Sequence, residues 1–137
     1  MIFKIAKRVC FRDTDAGGVV YYSRYLDFCE EARLEFLLSL GIAQSTLLRE
    51  QEVMFVVRNC NVKYLRPARL EDIVTITIEN ISIAIPTIKM THNIYSQQQL
   101  RLVVCDIDLV AISAQGRPLR KLPDELFTKL ASHSSNR

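Results

Sequence analysis

The sequence predicts an α+β fold in which an antiparallel sheet of about five strands wraps around one long central helix. Two observations support this prediction. One long stretch has the apolar period of a helix, and four strand-like stretches follow it with connections short enough for antiparallel neighbours. The 137 residues, of which 49% are hydrophobic, suit a single globular domain. We assign this domain to residues 1–131 and expect residues 132–137 to form a disordered tail.

The first strand runs to about Phe11, and the sequence DTDAGG interrupts it. The long helix begins at about Tyr22, because apolar residues recur from there at steps of three and four. Gly41 stands where a helix C-terminal glycine belongs, and the following AQSTLLREQ predicts one short extra helix. Leu26 and Leu37 widen the apolar face, so a sheet must cover most of the long helix. The face itself consists of Tyr22, Tyr25, Cys29, Ala32, Phe36 and Leu40.

Alternation of apolar and polar residues predicts the later strands. Residues 87–96 and 100–113 form the last two strands, and Pro123 opens a final helix. Five strands around one helix leave open sheet edges, which favour a homodimer or homotetramer. In the strand that starts at Val53, one face is expected to consist of Met54, Val56, Cys60, Val62 and Tyr64; in the next strand, the inner row is Val74, Ile76 and Ile78.

Charge and composition argue against several classes of protein. The net charge of +3 is too small to indicate nucleic-acid binding. The four cysteines are scattered without C-x-x-C spacing, so we expect no zinc ribbon or thioredoxin-type site. The sequence has neither a signal-peptide pattern nor an apolar run of ~18 residues. We therefore expect a reduced, cytoplasmic protein that does not span a membrane, with neither a metal nor a cofactor.

The stretch DTDAGGVVYY, which begins at Asp13, is the strongest candidate for chemistry. An EF-hand calcium loop is rejected, because its fifth and twelfth positions would be Gly17 and Arg24. A P-loop is excluded because the stretch has no lysine. A carboxylate beside a helix N-terminus fits better: the first amides of the helix could stabilise an oxyanion, and Asp15 could attack directly or activate water. The simpler interpretation, that Asp13 and Asp15 are turn and capping residues, stays open.

A hydrolase that depends on histidine is not supported by this sequence. Only two histidines are present, and His133 falls in the expected tail. His92 alternates with Ile88 and Ile94, so we expect it to be buried and hydrogen-bonded rather than catalytic. If the protein is a hydrolase, a carboxylate must perform the reaction, and a thioester is an electrophile that a carboxylate can attack without a histidine.

Three further groups have both a structural and a ligand-binding interpretation. Glu30 and Arg33 are three residues apart on the helix, so they either pair at a subunit contact or Glu30 borders an acyl pocket. Arg58 either extends to the sheet edge or binds a ligand phosphate. A basic cluster near a turn is either a solvated surface or a binding site for the phosphates of coenzyme A; its members are Lys63, Arg66 and Arg69.

Two stretches of the chain, FRDTDAGGVVYYSRYLDFCEEAR and FVVRNCNVKYLRPARLED, resemble a known family. From about Lys7 to about Pro123 the chain is similar to the YbgC-type acyl-CoA thioesterases, in the 4-hydroxybenzoyl-CoA thioesterase branch of the hotdog superfamily. The resemblance implies the hotdog fold, active sites at the interface of a dimer that often pairs into a tetramer, and thioester hydrolysis without a metal. It also implies that the catalytic aspartate is Asp15 and that the amide polarising the thioester carbonyl is that of Tyr22. The approach to this amide would be lined by Gly18, Val19 and Val20.

One position departs from the family pattern. YbgC-type members usually have His where this chain has Tyr22, whereas the benzoyl-CoA branch has Tyr, which does not titrate near neutral pH. Our hypothesis is an acyl-CoA thioesterase with Asp15 as nucleophile or general base. The alternative is a non-catalytic protein that binds acyl-CoA or acyl carrier protein in lipid or envelope metabolism. A hotdog dehydratase ranks last, because that chemistry needs a histidine near the helix.

Overall fold

The computed structural model describes residues 2–134. Within them, the strands are β1 Phe3–Arg8, β2 Val53–Tyr64, β3 Ile73–Ala84, β4 Thr87–Tyr95 and β5 Arg101–Ser113. The helices are α1 Arg24–Ser39, α2 Gln44–Gln51 and α3 Asp124–Ala131. The strands form one antiparallel sheet in the order β1-β3-β4-β5-β2. The predicted α+β class with about five antiparallel strands is confirmed.

The long helix α1 packs one apolar face against the sheet, as its period predicts. It begins at Arg24, and Tyr22 precedes it with 62% of its surface exposed, so Tyr22 does not belong to the buried face. Leu26 is also exposed. Gly41 follows the helix end with a φ of +79°, a conformation that glycine adopts without steric cost. The buried residues of α1 are Tyr25, Phe28, Cys29, Ala32, Phe36 and Leu37.

Strand β2 lies at one edge of the sheet, and its predicted single apolar row is wrong. A β-bulge at Arg58 shifts the pairing with β5, and a shift of one residue moves the following side chains to the other face. Before the bulge, Phe55 packs against the core while Met54 and Val56 are exposed. After the bulge, Val62 packs against the core. In β3, by contrast, the predicted inner row is buried as expected: Val74, Ile76 and Ile78.

The end of the described chain corrects the predicted tail. Ser132 caps α3, and the buried Ser134 donates its hydroxyl hydrogen to the Ile81 carbonyl at 3.0 Å. The expectation of disorder is therefore wrong for residues 132–134, and residues 135–137 lie outside the described residues. Between residues 2 and 134, no helix combines the length and hydrophobicity needed to cross a membrane.

Candidate active site

A buried carboxylate fixes the loop between β1 and α1. The side chain of Asp13 is 0% exposed and accepts hydrogen bonds from the Cys10 amide at 2.8 Å, from Arg24 Nε at 2.9 Å and from Arg24 Nη2 at 2.8 Å. Its carbonyl accepts from the Tyr21 amide at 2.8 Å. Burial alone would raise the pKa of Asp13, but the hydrogen bonds from Cys10 and Arg24 outweigh it and lower that pKa. Asp13 is thus a structural anchor that ties the loop to the start of α1.

Asp15 lies two residues further on and is exposed. Its Oδ1 accepts from the Gly17 amide at 2.8 Å, which forms an Asx turn. Gly18 continues this turn with a φ of +79°. Thr14 and Val20 form an antiparallel bridge, so the loop is a short hairpin with Asp15 at its turn. No described residue donates a hydrogen bond to Asp15 Oδ2, which leaves that oxygen accessible for chemistry.

The amides at the start of α1 differ in their hydrogen bonding. The Val20 amide donates to the Ala68 carbonyl at 2.9 Å. In the described part of the chain, neither the Tyr22 amide nor the Ser23 amide donates a hydrogen bond. Unpaired N–H groups at a helix N-terminus can bind a developing oxyanion. The hairpin therefore carries an exposed carboxylate at its turn and unpaired donors at its helix end.

A pocket of about 270 Å³, which we name the tyrosine pocket, opens beside Tyr22. The Tyr64 hydroxyl donates to the Tyr22 carbonyl at 3.1 Å, and the Tyr25 hydroxyl accepts from the Ala68 amide at 3.0 Å. These bonds join the helix start to the end of β2 and to the turn that follows it. The pocket is lined by Val20, Tyr22, Tyr25, Tyr64, Leu65, Arg66 and Pro67.

A second pocket, the central pocket, lies further along α1 and has a volume of about 380 Å³. At its side, Arg33 Nη1 lies 3.0 Å from His92 Nε2, and His92 Nδ1 lies 2.9 Å from the Thr77 carbonyl oxygen. His92 is fully buried, and burial together with the Arg33 charge lowers the pKa of His92 to about 4. The imidazole is therefore neutral at pH 7, with Nδ1–H donating to Thr77 and Nε2 accepting from Arg33. The prediction of a buried, hydrogen-bonded His92 is confirmed.

The comparison with known proteins decides the family. The thioesterase-like superfamily matches residues 9–130. The acyl-CoA thioester hydrolase YbgC of Escherichia coli O6:H1 is 35% identical over 128 residues, which cover 93% of this chain and 95% of that protein. The chain belongs to the thioesterase-like superfamily.

Two further members of this superfamily agree with the assignment. The acyl-CoA thioesterase YbgC of Haemophilus influenzae is 47% identical over 77 residues, which cover 56% of this chain and 57% of that protein. The chain thus spans little more than half of the Haemophilus relative. A probable thioesterase from Bartonella henselae has a crystal structure with a TM-score of 0.83 and 33% identity, covering 90% of this chain and 100% of that chain. The resemblance to YbgC-type thioesterases and the hotdog fold are confirmed.

The remaining candidate residues of this thioesterase-like chain fall in different places. Arg66 lines the tyrosine pocket, and its Nη1 donates to the Arg101 carbonyl at 3.4 Å. Lys63 is exposed near the end of β2, and Val19 pairs with Arg69 in an isolated bridge. Arg58 lines neither of these two pockets; its Nη2 donates to Thr87 Oγ1 at 3.2 Å, and its ligand-binding role stays a prediction.

Glu30 and Arg33 both line the central pocket. Among residues 2–134, however, no ion pair within 4.0 Å joins them; Arg33 contacts His92 instead. The predicted pairing is therefore not formed within this chain, because the side chain of Arg33 turns toward the sheet. Glu30 is exposed at the pocket.

Sequence reasoning missed two features of the site. Tyr25 and Tyr64 were expected only as apolar residues of a helix face and a strand face, yet their hydroxyls bind the backbone around the pocket. Cysteine spacing also did not distinguish the exposed Cys10 and Cys60 from the buried Cys29 and Cys105. Partial burial of its sulfur atom, together with Cys105 Sγ at 3.6 Å, raises the pKa of Cys60 to about 11, so this thiol is protonated at neutral pH and is a poor nucleophile. Within the described chain, no three His, Cys, Asp or Glu side chains are grouped to hold a metal ion.

Proposed function

We propose that the protein hydrolyses acyl-CoA thioesters to a free acid and coenzyme A. One observation carries the proposal: a single hairpin combines the exposed carboxylate of Asp15 with unpaired amides at Tyr22 and Ser23. The tyrosine pocket beside these amides offers room for the thioester. Relatives named acyl-CoA thioester hydrolase support the same reaction.

In this reaction, Asp15 attacks the thioester carbonyl carbon or removes a proton from the water that attacks it. The carbonyl oxygen then becomes an oxyanion, which the Tyr22 amide stabilises. The tetrahedral centre collapses, the C–S bond breaks, and the thiolate of coenzyme A leaves and takes up a proton from water. If Asp15 attacks directly, water next hydrolyses the resulting anhydride, which releases the acid and restores the carboxylate.

Substrate binding follows from the residues around this centre. Gly18, Val19 and Val20 form the strand of the hairpin that leads to the Tyr22 amide, so we assign the approach of the thioester to them. Arg66 borders the tyrosine pocket and Lys63 lies close by in the sequence; their charges suit the phosphates of coenzyme A.

We further propose that the protein acts in the cytoplasm as a homodimer or homotetramer. Strand β2 is a sheet edge with exposed apolar side chains at Met54 and Val56. Such an edge pairs readily with a second strand. Leu38 exposes further apolar surface on α1, and a second copy of the chain could cover these surfaces together.

The substitution Asp15→Asn tests the proposed chemistry. An amide can neither attack the thioester nor accept the proton of water, so kcat/KM should fall by about 10²-fold or more. Thiol release from short, long and aromatic acyl-CoAs measures this. Asp27→Asn is the matched control, because Asp27 is an exposed carboxylate at the start of α1 and should leave turnover unchanged.

Two results would contradict the proposal. Turnover of Asp15→Asn at the wild-type rate would exclude Asp15 as nucleophile or base. Tight binding of acyl-CoA or acyl carrier protein by the wild type, without any thiol release, would favour the non-catalytic binding protein. The exposed basic side chains Lys63 and Arg66 would suit an acidic carrier protein in that case.

A further inference from the structure

The central pocket contains a cation that the fold does not neutralise by contact. Among residues 2–134, Arg33 hydrogen-bonds only to His92, which is neutral, and no carboxylate lies within 4.0 Å of its guanidinium. The guanidinium has five N–H donors, so most of them have no partner. Burial lowers the pKa of Arg33, which indicates that water solvates this charge poorly. A ligand with an anionic group would gain charge-assisted hydrogen bonds here.

Two carboxylates near the pocket affect which anions can enter. Glu31 is paired with Lys7 Nζ at 3.2 Å, so its charge is largely compensated. Glu30 is exposed and acts on Arg33 through space, without a contact. A small free anion would be repelled by Glu30 and would gain no burial of apolar surface in return. An anion attached to an apolar chain would also gain the burial of that chain against the apolar walls, which include Leu34, Leu37, Phe55, Val57 and Leu109.

The tyrosine pocket and the central pocket lie between the same two elements. Tyr25 of α1 and Tyr64 of β2 line the first, while Leu34 of α1 and Phe55 of β2 line the second. Arg33 follows Arg24, the first residue of α1, by nine residues, which corresponds to about 14 Å along a helix. An extended acyl chain whose thioester lies at the Tyr22 amide could therefore follow the seam between α1 and β2 to Arg33.

We propose that Arg33 binds a carboxylate at the far end of the acyl group, so that the preferred substrates are acyl-CoAs with a terminal carboxylate. This inference rests on the proposed thioesterase function and names its substrate class. In the proposed complex, the Arg33 guanidinium donates two hydrogen bonds to the terminal carboxylate, and its contact with His92 orients the side chain. Arg33 is thus a specificity-determining residue and takes no part in the cleavage of the thioester.

Matched pairs of acyl-CoAs test this proposal. Each pair has the same chain length, with and without a terminal carboxylate, and the series extends to chains that span about 14 Å. Arg33→Met keeps a long apolar side chain but removes the charge, so kcat/KM for the carboxylated member should fall about tenfold or more. Hydrolysis of the uncharged member should change by less than about twofold, since it makes no charge-assisted bond there.

Three more variants sharpen the test. Arg33→Lys keeps the charge but loses the planar fork, so its preference should be intermediate. Glu30→Gln removes a like charge and should raise kcat/KM for the carboxylated member alone. Arg49→Met, an exposed arginine on α2, is the matched control and should change neither member.

The outcomes separate this inference from the proposed function. If the wild type prefers the uncharged member of every pair, or if Arg33→Met and Arg33→Lys slow both members equally, the inference is wrong while the thioesterase function stands. If the wild type cleaves no acyl-CoA, the proposed function fails. Calorimetric binding of the same pairs to Asp15→Asn then decides the inference separately. Tighter binding of the carboxylated member that is lost when Arg33→Met is added supports the inference. Equal binding of the two members contradicts it.

Discussion

Helix α1 carries two arginines, Arg24 and Arg33, whose surroundings are opposite. Arg24 binds the buried Asp13 through two nitrogens and Asp27 through a third, and the hydrogen bond to Asp13 raises the pKa of Arg24. Arg33 has a neutral histidine as its partner, and burial lowers its pKa. The charge of Arg24 is therefore neutralised within the fold and stabilises the loop of the candidate active site. The charge of Arg33 remains available to a ligand.

The largest expected effect tests whether the fold depends on the neutralised arginine. Asp13→Ala leaves the Cys10 amide and two nitrogens of the Arg24 guanidinium without their acceptor, so the free energy of unfolding should fall by about 3–5 kcal/mol. Urea titration of the variant and the wild type measures this difference.

Asp27→Ala is the control for this prediction, because Asp27 binds the same arginine at the exposed surface. Its cost should be at most about 1 kcal/mol. Equal costs for the two substitutions would show that the buried carboxylate does not anchor the loop, and the contrast between Arg24 and Arg33 would be lost.

The sequence predicted the fold better than it predicted these polar contacts. Periodicity identifies α1 and the inner row of β3, because burial of one face is repeated over many residues and one exception changes little. The apolar period does not reveal the β-bulge at Arg58, because one extra residue moves the later side chains of β2 to the other face without changing the composition of the strand. Similarly, nothing in DTD distinguishes the buried Asp13 from the exposed Asp15. Their difference depends on Arg24, which does not belong to the predicted apolar face of the helix.

The second prediction concerns the neutral partner of Arg33. The pKa of His92 is lowered from 6.5 to about 4, so the folded protein resists protonation of this imidazole while the unfolded chain accepts it. The neutral His92 therefore contributes fully to the free energy of unfolding above pH 6.5. This contribution, about 3 kcal/mol in all, is lost as the pH falls toward 4. The pKa of Asp13 is lowered from 3.8, so the stability that depends on its carboxylate is lost only at a lower pH than that of His92.

Unfolding measured from pH 7 to pH 4 checks this expectation. His92→Gln, whose amide can accept from Arg33 and donate to Thr77, should flatten the loss of stability with falling pH in that window. His133→Gln, which removes the exposed histidine, is the comparison variant. If stability falls with pH as steeply in His92→Gln as in the wild type, another group takes up the proton. The charge of Arg33 could then not be called uncompensated on the ground that His92 is neutral.

The smallest effect concerns the tyrosines that join β2 to the start of α1. Tyr64→Phe removes one hydrogen bond, from a half-exposed hydroxyl to the Tyr22 carbonyl, so stability should fall by only about 0.5–1 kcal/mol. Tyr22→Phe is the control, because no described residue binds the Tyr22 hydroxyl, and its stability should be unchanged. A loss in Tyr64→Phe as large as that in Asp13→Ala would mean that the tyrosines, rather than the Asp13–Arg24 pair, hold the helix start. The start of α1 would then be held mainly by its contact with β2, which lines both pockets, and not by Arg24.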